Sequence, residues 1–352
     1  MLKRVLTIIA AILGFVLLGG IGAGFGWRWR NTTYFERRMA AVTKAGVVER
    51  STSIDGHTVT YGEGPDNGPA LLLIHGQAVD WKNYAPVLPE LTKRYHVFAI
   101  DVLGHGGSSR APETYTAAGQ GQVLSRFLAA VVKEPVIVSG HSSGGHIAAW
   151  LAANDASVRG VLLEDPPFFT TTLPEAEQTW NYLDLATTAH EFIAGGDSDW
   201  VLYSFERQRM WKFFGDSADW FKDMGRDYHA RHPGEGIRLW AFPPMGNEVL
   251  RTANTYDPHF GDAFYRGTWD DGWDQAAALS SLEVPATLVH TKVAYDTDGT
   301  LMAAMGEADA QRARDLIPEV IFHKVETGHG FHDEDPEAYV RFVDELRART
   351  GL

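Results

Sequence analysis

Residues 135–154 read PVIVSGHSSGGHIAAWLAAN. Pro135–Ser139 is a short apolar run without alternation, the pattern of a strand buried on both faces. His146–Asn154 has helical character. Between them, Gly140-His141-Ser142-Ser143-Gly144 is G-x-S-x-G in a strand–turn–helix setting, a nucleophile elbow. The glycines permit a tight turn that lifts Ser142 above the sheet. The following helix places its N-terminal dipole under any negative charge that develops there.

Outward from this stretch the same type of run recurs. Ala70–Ile74 ends at His75-Gly76-Gln77, Val97–Ile100 at Asp101, and Gly160–Leu163 at Glu164-Asp165; Ala286–His290 and Glu319–His323 follow. Ser51–Tyr61 alternates around Asp55-Gly56, a two-residue hairpin signal. Strand runs separated by helical segments such as Gln120–Val132 predict a mostly parallel, doubly wound α/β sheet. Residues 166–282 contain no buried-strand run. They hold seven of the eleven tryptophans, Trp180, Trp200, Trp211, Trp220, Trp240, Trp269 and Trp273. That segment is expected to be an inserted helical lid, most of its aromatics forming lid core and a minority lining a large apolar pocket. The expected division is 1–30 as an N-terminal membrane anchor or signal peptide, 31–165 as the first part of the core, 166–282 as the lid, and 283–352 as the second part.

Val5–Gly26 runs 22 residues without a charge, enough as a helix to cross a hydrocarbon core of roughly 30 Å. Lys3 and Arg4 precede it, and Trp27 and Trp29 follow where an aromatic belt would sit. A single-pass transmembrane helix is expected, and the competing reading is a cleaved signal peptide and a secreted protein. Basic residues flank both ends, which leaves the side of the membrane open, with the extracytoplasmic face slightly favoured. Asn31-Thr32-Thr33 matches a glycosylation acceptor. The chain of 352 residues carries a net charge of −14; residues 1–38 hold six bases against Glu36, net +5, so the rest carries −19. A body that acidic repels a phosphate backbone, which argues against a nucleic-acid partner. The absence of cysteine excludes disulfides, thiolate metal sites and a cysteine nucleophile.

A serine hydroxyl needs a base to take its proton. Gly328-His329 follows the last predicted strand, which makes His329 the natural base, with His332 as its rival. The N–H groups of Gln77 and Ser143 are candidates for an oxyanion hole, and His75 is expected to brace the loop around Gln77. There is no H-E-x-x-H helix, phosphate loop or dinucleotide fingerprint, so no metal and no cofactor are expected.

His75-Gly76, Asp101-Val102-Leu103-Gly104-His105-Gly106, the elbow and Gly328-His329, in this order, resemble the α/β-hydrolase superfamily over roughly residues 50–350. The resemblance implies an α/β-hydrolase fold with a lid and a Ser–His–acid triad. The family's acid usually follows the next-to-last strand as G-x-x-D, but here Thr291 and Ala294 occupy those two places. Asp296 and Asp298 lie just beyond, while Asp165 ends the strand after the elbow helix. Some members, including lactone hydrolases of the zearalenone-cleaving type, place their acid on that strand, and Ala111–Thr116 also resembles that group. Asp165 is the expected acid, with Asp296 and Asp298 as alternatives. The implied activity is serine hydrolysis of a carboxylic ester or lactone of a fairly large apolar small molecule, through an acyl-enzyme. The alternatives are cleavage of a carbon–carbon or amide bond by the same triad, or a non-catalytic ligand-binding receptor. Oligomeric state is left open.

Overall fold

The computed structural model describes residues 2–352, with side chains described from residue 23 onward, Met245 excepted. Eight strands form one sheet: β1 (Val48–Ile54), β2 (His57–Glu63), β3 (Ala70–Ile74), β4 (His96–Ile100), β5 (Val136–His141), β6 (Val158–Glu164), β7 (Ala286–His290) and β8 (Ile321–Lys324). Their order is β1-β2-β4-β3-β5-β6-β7-β8. The hairpin β1–β2 turns at Asp55-Gly56, and β2 joins β4 antiparallel; every later pairing is parallel. The last strand lies two residues beyond the expected Glu319 start, because Glu319 itself takes a positive φ of 48°.

The unbroken apolar runs have a direct physical cause. In β3, Ala70, Leu72 and Ile74 pack into one core layer while Leu71 and Leu73 pack into the other. The same split separates Val136 and Val138 from Ile137 in β5, and Val161 and Leu163 from Leu162 in β6. A strand with helices on both faces has no solvent side, so its sequence need not alternate polar with apolar residues. The helices Ala117–Phe127 and Ser143–Asn154 cover the first face, and Pro336–Thr350 covers the second.

Between Pro166 and Leu282 there is no strand among the described residues. Residues 201–250 have a small core of their own around Val201, Phe205, Trp211, Ile237, Leu239, Phe242 and Leu250. From Tyr256 onward the segment returns to the main core: Phe260, Phe264 and Trp269 are buried in it. Trp269 Nε1–H donates to His146 Nδ1 on the elbow helix at 2.9 Å. Of the seven tryptophans, Trp200, Trp211 and Trp269 are buried, whereas Trp220 and Trp240 are exposed.

The chain begins with a helix, Leu2–Lys44. Its last turns pack on the body. Asn31 is buried and donates through Nδ2 to Trp240 O at 3.0 Å, which engages the amide that a glycosylation acceptor would need free. Among the described residues no helix is long and apolar enough to cross a membrane. Most of the expected anchor, Val5–Gly26, falls in residues 1–22, whose side chains lie outside the described residues.

Candidate active site

Strand β5 ends at His141 and a helix begins at Ser143, leaving Ser142 in the turn with φ 55° and ψ −125°. An L-residue rarely adopts that backbone, at a cost of roughly 1–3 kcal/mol. Two bonds hold it: Ser142 N–H donates to Glu164 O at 2.9 Å, and Gly145 N–H donates to Ser142 O at 2.8 Å. The flanking glycines are required by close packing. A Cβ on Gly140 would stand 2.1 Å from Gly144 O, and one on Gly144 2.3 Å from Ile74 O. The strain recurs nearby, since Ala78 and Asp165 also have positive φ, at 61° and 43°.

His329 Nδ1–H donates to Asp165 Oδ2 at 2.7 Å. Asp165 is wholly buried just beyond β6 and also accepts from Thr291, at 2.6 Å from Oγ1 and 3.2 Å from N–H. His290 Nδ1 stands 3.5 Å from its Oδ1. Burial alone would raise the Asp165 carboxyl, but His290, His329 and Thr291 outweigh it and hold the group well below the usual carboxylate range. Burial likewise disfavours a charged His329, yet Asp165, Glu164 and Glu334 together raise its pKa above the ordinary 6.5. The family's usual acid position therefore contributes differently here. Thr291, in place of the glycine, supplies a hydroxyl to an acid on the neighbouring strand. Asp296 and Asp298 instead pair with Lys212 of the lid segment, at 2.5 and 3.2 Å, and neither is bonded to His329.

His332 occupies a different environment. It is buried, its backbone N–H and Nδ1–H donate to Glu164 Oε1 at 2.8 Å, and Nε2 lies 2.9 Å from the Asn83 amide oxygen. Burial would raise the Glu164 carboxyl, but His332 and His141 lower it below the ordinary value. His141 bridges the two histidines: Nε2–H donates to His329 O at 2.8 Å, and its ring lies 4.6 Å from that of His329 and 5.1 Å from that of His332. His75 braces its loop, as expected. Its Nε2 accepts from Val102 N–H at 3.2 Å, so Nδ1 carries the proton and donates to Gly76 O at 2.7 Å. Burial pushes its pKa down to about 4, which keeps it neutral.

Ser142, Ser143, Gln77 and His329 line one cavity of about 270 Å³. The backbone N–H groups of Gln77 and Ser143 meet no protein acceptor among the described residues. The Gln77 side chain is held aside, donating to Tyr256 OH at 2.7 Å. Pro167, Leu185, Val249, Phe264 and Met302 make much of the wall apolar, and Trp180 is the lid tryptophan on it. A second cavity of about 80 Å³ shares Ala78, Asp184, Leu185 and Val249 with the first. Sequence reasoning missed His290, the donor role of Thr291 and the lid residue Asp184. The threonine in place of the family's glycine was the one visible signal.

A serine, an imidazole and a buried carboxylate at one apolar cavity supply the groups for nucleophilic acyl transfer. The chain is 34% identical over 96 residues to a pimeloyl-[acyl-carrier protein] methyl ester esterase of Xylella fastidiosa, which is 27% of this chain and 36% of the relative. It spans about a third of the length of the curated relatives it matches. Among solved structures it resembles a membrane phospholipase A described as a bacterial virulence factor, with TM-score 0.59, 24% identity, and 96% and 99% of the two chains covered. It also resembles the enol-lactonase of Burkholderia xenovorans LB400, with TM-score 0.57, 18% identity, and 85% and 100% covered. At these identities the structural likeness is one of fold. The family model for the alpha/beta hydrolase family matches residues 71–342, more than half of the sequence, and the chain belongs to that family.

Proposed function

We propose that this hydrolase cleaves a carboxylic ester or lactone of a fairly large apolar molecule through an acyl-enzyme on Ser142. The observation that carries this reading is the 2.7 Å bond from His329 Nδ1 to buried Asp165, with Ser142 strained beside the same cavity. Ser142 Oγ attacks the carbonyl while His329 Nε2 takes its proton. Asp165 fixes the tautomer and stabilises the imidazolium. The Gln77 and Ser143 N–H groups hold the oxyanion. The alcohol leaves with the proton from His329, and water then releases the acid by the reverse sequence. The apolar cavity wall supports an apolar substrate.

In the same reading, residues 1–30 hold the enzyme to a membrane. Residues 23–30 are all exposed on the helix, among them Phe25, Trp27 and Trp29, next to the apolar run. Aromatic side chains at that position suit the bilayer interface.

The test is labelling with a fluorophosphonate together with turnover of a graded panel of esters and lactones. Rapid labelling that Ser142→Ala abolishes, with turnover of at least one ester or lactone, is the expected result. Labelling with turnover only of amides or of carbon–carbon substrates transfers the triad to another reaction. Absence of both would leave a ligand-binding receptor.

A further inference from the structure

The larger cavity is lined by only two ionisable side chains among the described residues, His329 and Asp184. His329 belongs to the proposed triad, which leaves Asp184 without a role there. Asp184 also lines the smaller cavity, which Ser142 does not reach. The carboxylate therefore stands at the junction, with Leu185 and Val249 beside it on both sides. A substrate seated on Ser142 and long enough to extend toward Trp200 must pass it.

Its one hydrogen bond of normal geometry uses a single oxygen. Oδ1 accepts from Arg209 N–H at 2.5 Å, and no hydrogen bond to Oδ2 meets normal geometry among the described residues. No salt bridge neutralises it there either; the Arg209 guanidinium is turned toward Asp296, with Nη2 at 3.9 Å. Burial dominates and pushes the carboxyl up to about 6, against the Arg209 N–H, the Arg209 charge and a hydrogen-bonding contact from the Trp180 side chain, all of which favour the ionised form. If Asp184 served only to cap Arg209 N–H, a single accepting oxygen would suffice. The half-buried carboxylate faces both cavities, where water or a ligand donor can meet the oxygen that Arg209 N–H does not use.

We propose that Asp184 forms a specificity subsite for a hydrogen-bond-donating group, a hydroxyl or an ammonium, on the part of the substrate that extends from Ser142 toward Trp200. The proposal rests on the reading of Ser142 as the acylated residue and deepens it: the substrate is an apolar ester or lactone with one remote donor. A site built to bond such a group rejects the analogue lacking it more strongly than an apolar pocket rejects a missing methylene.

The experiment compares nitrophenyl esters of plain acyl chains with their ω-hydroxy and ω-ammonium counterparts at each chain length from four to ten carbons. A parallel series carries the donor on the alcohol side. The wild-type enzyme is expected to prefer the donor-bearing ester at least tenfold in kcat/KM over a narrow range of lengths in one series. Asp184→Asn keeps an oxygen for Arg209 N–H and should bring that ratio to within about twofold of unity. Equal rates at every length in both series, or a preference that survives Asp184→Asn, overturns the proposal. Binding of the same ligands to Ser142→Ala and to Ser142→Ala with Asp184→Asn, measured by calorimetry, reads the subsite without turnover. If the wild type neither labels nor turns over, the serine reading fails, while a donor preference in Kd that Asp184→Asn removes still upholds the subsite. No such preference in Kd overturns it.

Discussion

His329 and His332 sit three residues apart, yet their removal should have opposite effects. His332→Ala leaves Glu164, which is fully buried, without the imidazole that donates to it at 2.8 Å. Leaving a buried carboxylate without one of its partners typically costs about 3–5 kcal/mol. The low end applies, because the backbone N–H of residue 332 still donates to Glu164 and His141 remains close. A loss of about 3 kcal/mol corresponds to a fall in Tm of roughly 4 °C in a chain of this size. Glu164 O also receives the Ser142 N–H, so some loss of rate should accompany the loss of stability. His329 is two-fifths exposed, and Asp165 keeps both Thr291 donors without it. His329→Ala should therefore lose turnover by on the order of 10⁴-fold with a much smaller change in Tm. The assay is thermal unfolding beside fluorophosphonate labelling at a temperature where both variants are folded. Glu164→Gln combined with His332→Ala should recover more than about 1 kcal/mol relative to the sum of the single changes, because the buried charge is gone. If His332→Ala melts like the wild type and labels as slowly as His329→Ala, the assignment of roles is wrong.

Four further outcomes are expected. Asp165→Asn should lower kcat by roughly 10³–10⁴-fold, while Asp296→Asn and Asp298→Asn each cost less than about tenfold, since those two pair with Lys212; steady-state kinetics that reverse this ranking would move the acid to the loop. The His329 pKa is raised and the base must be neutral, so kcat/KM should rise with pH along an acid limb centred above 6.5. Thr291→Val removes one donor from the Asp165 carboxylate and should reduce kcat by about tenfold, without the loss expected of Asp165→Asn. Deleting residues 1–30 preserves the buried contacts of Asn31 and Tyr34 and should release an active enzyme from membranes; an inactive product beside an active full-length protein would show that the segment supports the fold.

The elbow, and the places of His329, Gln77 and Ser143 at one cavity, were legible because each belongs to a local pattern. Strand, turn and helix at 135–154 are contiguous, so the strained place of Ser142 follows from a dozen neighbouring residues. His329 and Gln77 were legible for the same reason, each lying just past a strand run. The carboxylate partner of His329 was different. Asp165 and His329 are 164 residues apart, and nothing near Asp165 in the chain separates a triad acid from a hinge residue. The parallel pairing of β6 with β7 settles which carboxylate reaches the imidazole, since it sets Asp165 against Thr291 while the chain beyond carries Asp296 away to Lys212. The same holds for His332, whose partner Glu164 was visible only as the end of a strand. The lid was recognisable by its lack of strands and its tryptophans. Its cavity wall, and Asp184 within it, depend on how helices without a repeating motif pack over the sheet. Local sequence determines what a strand end or a turn can be; which side chains meet across the sheet is decided by long-range pairing and burial.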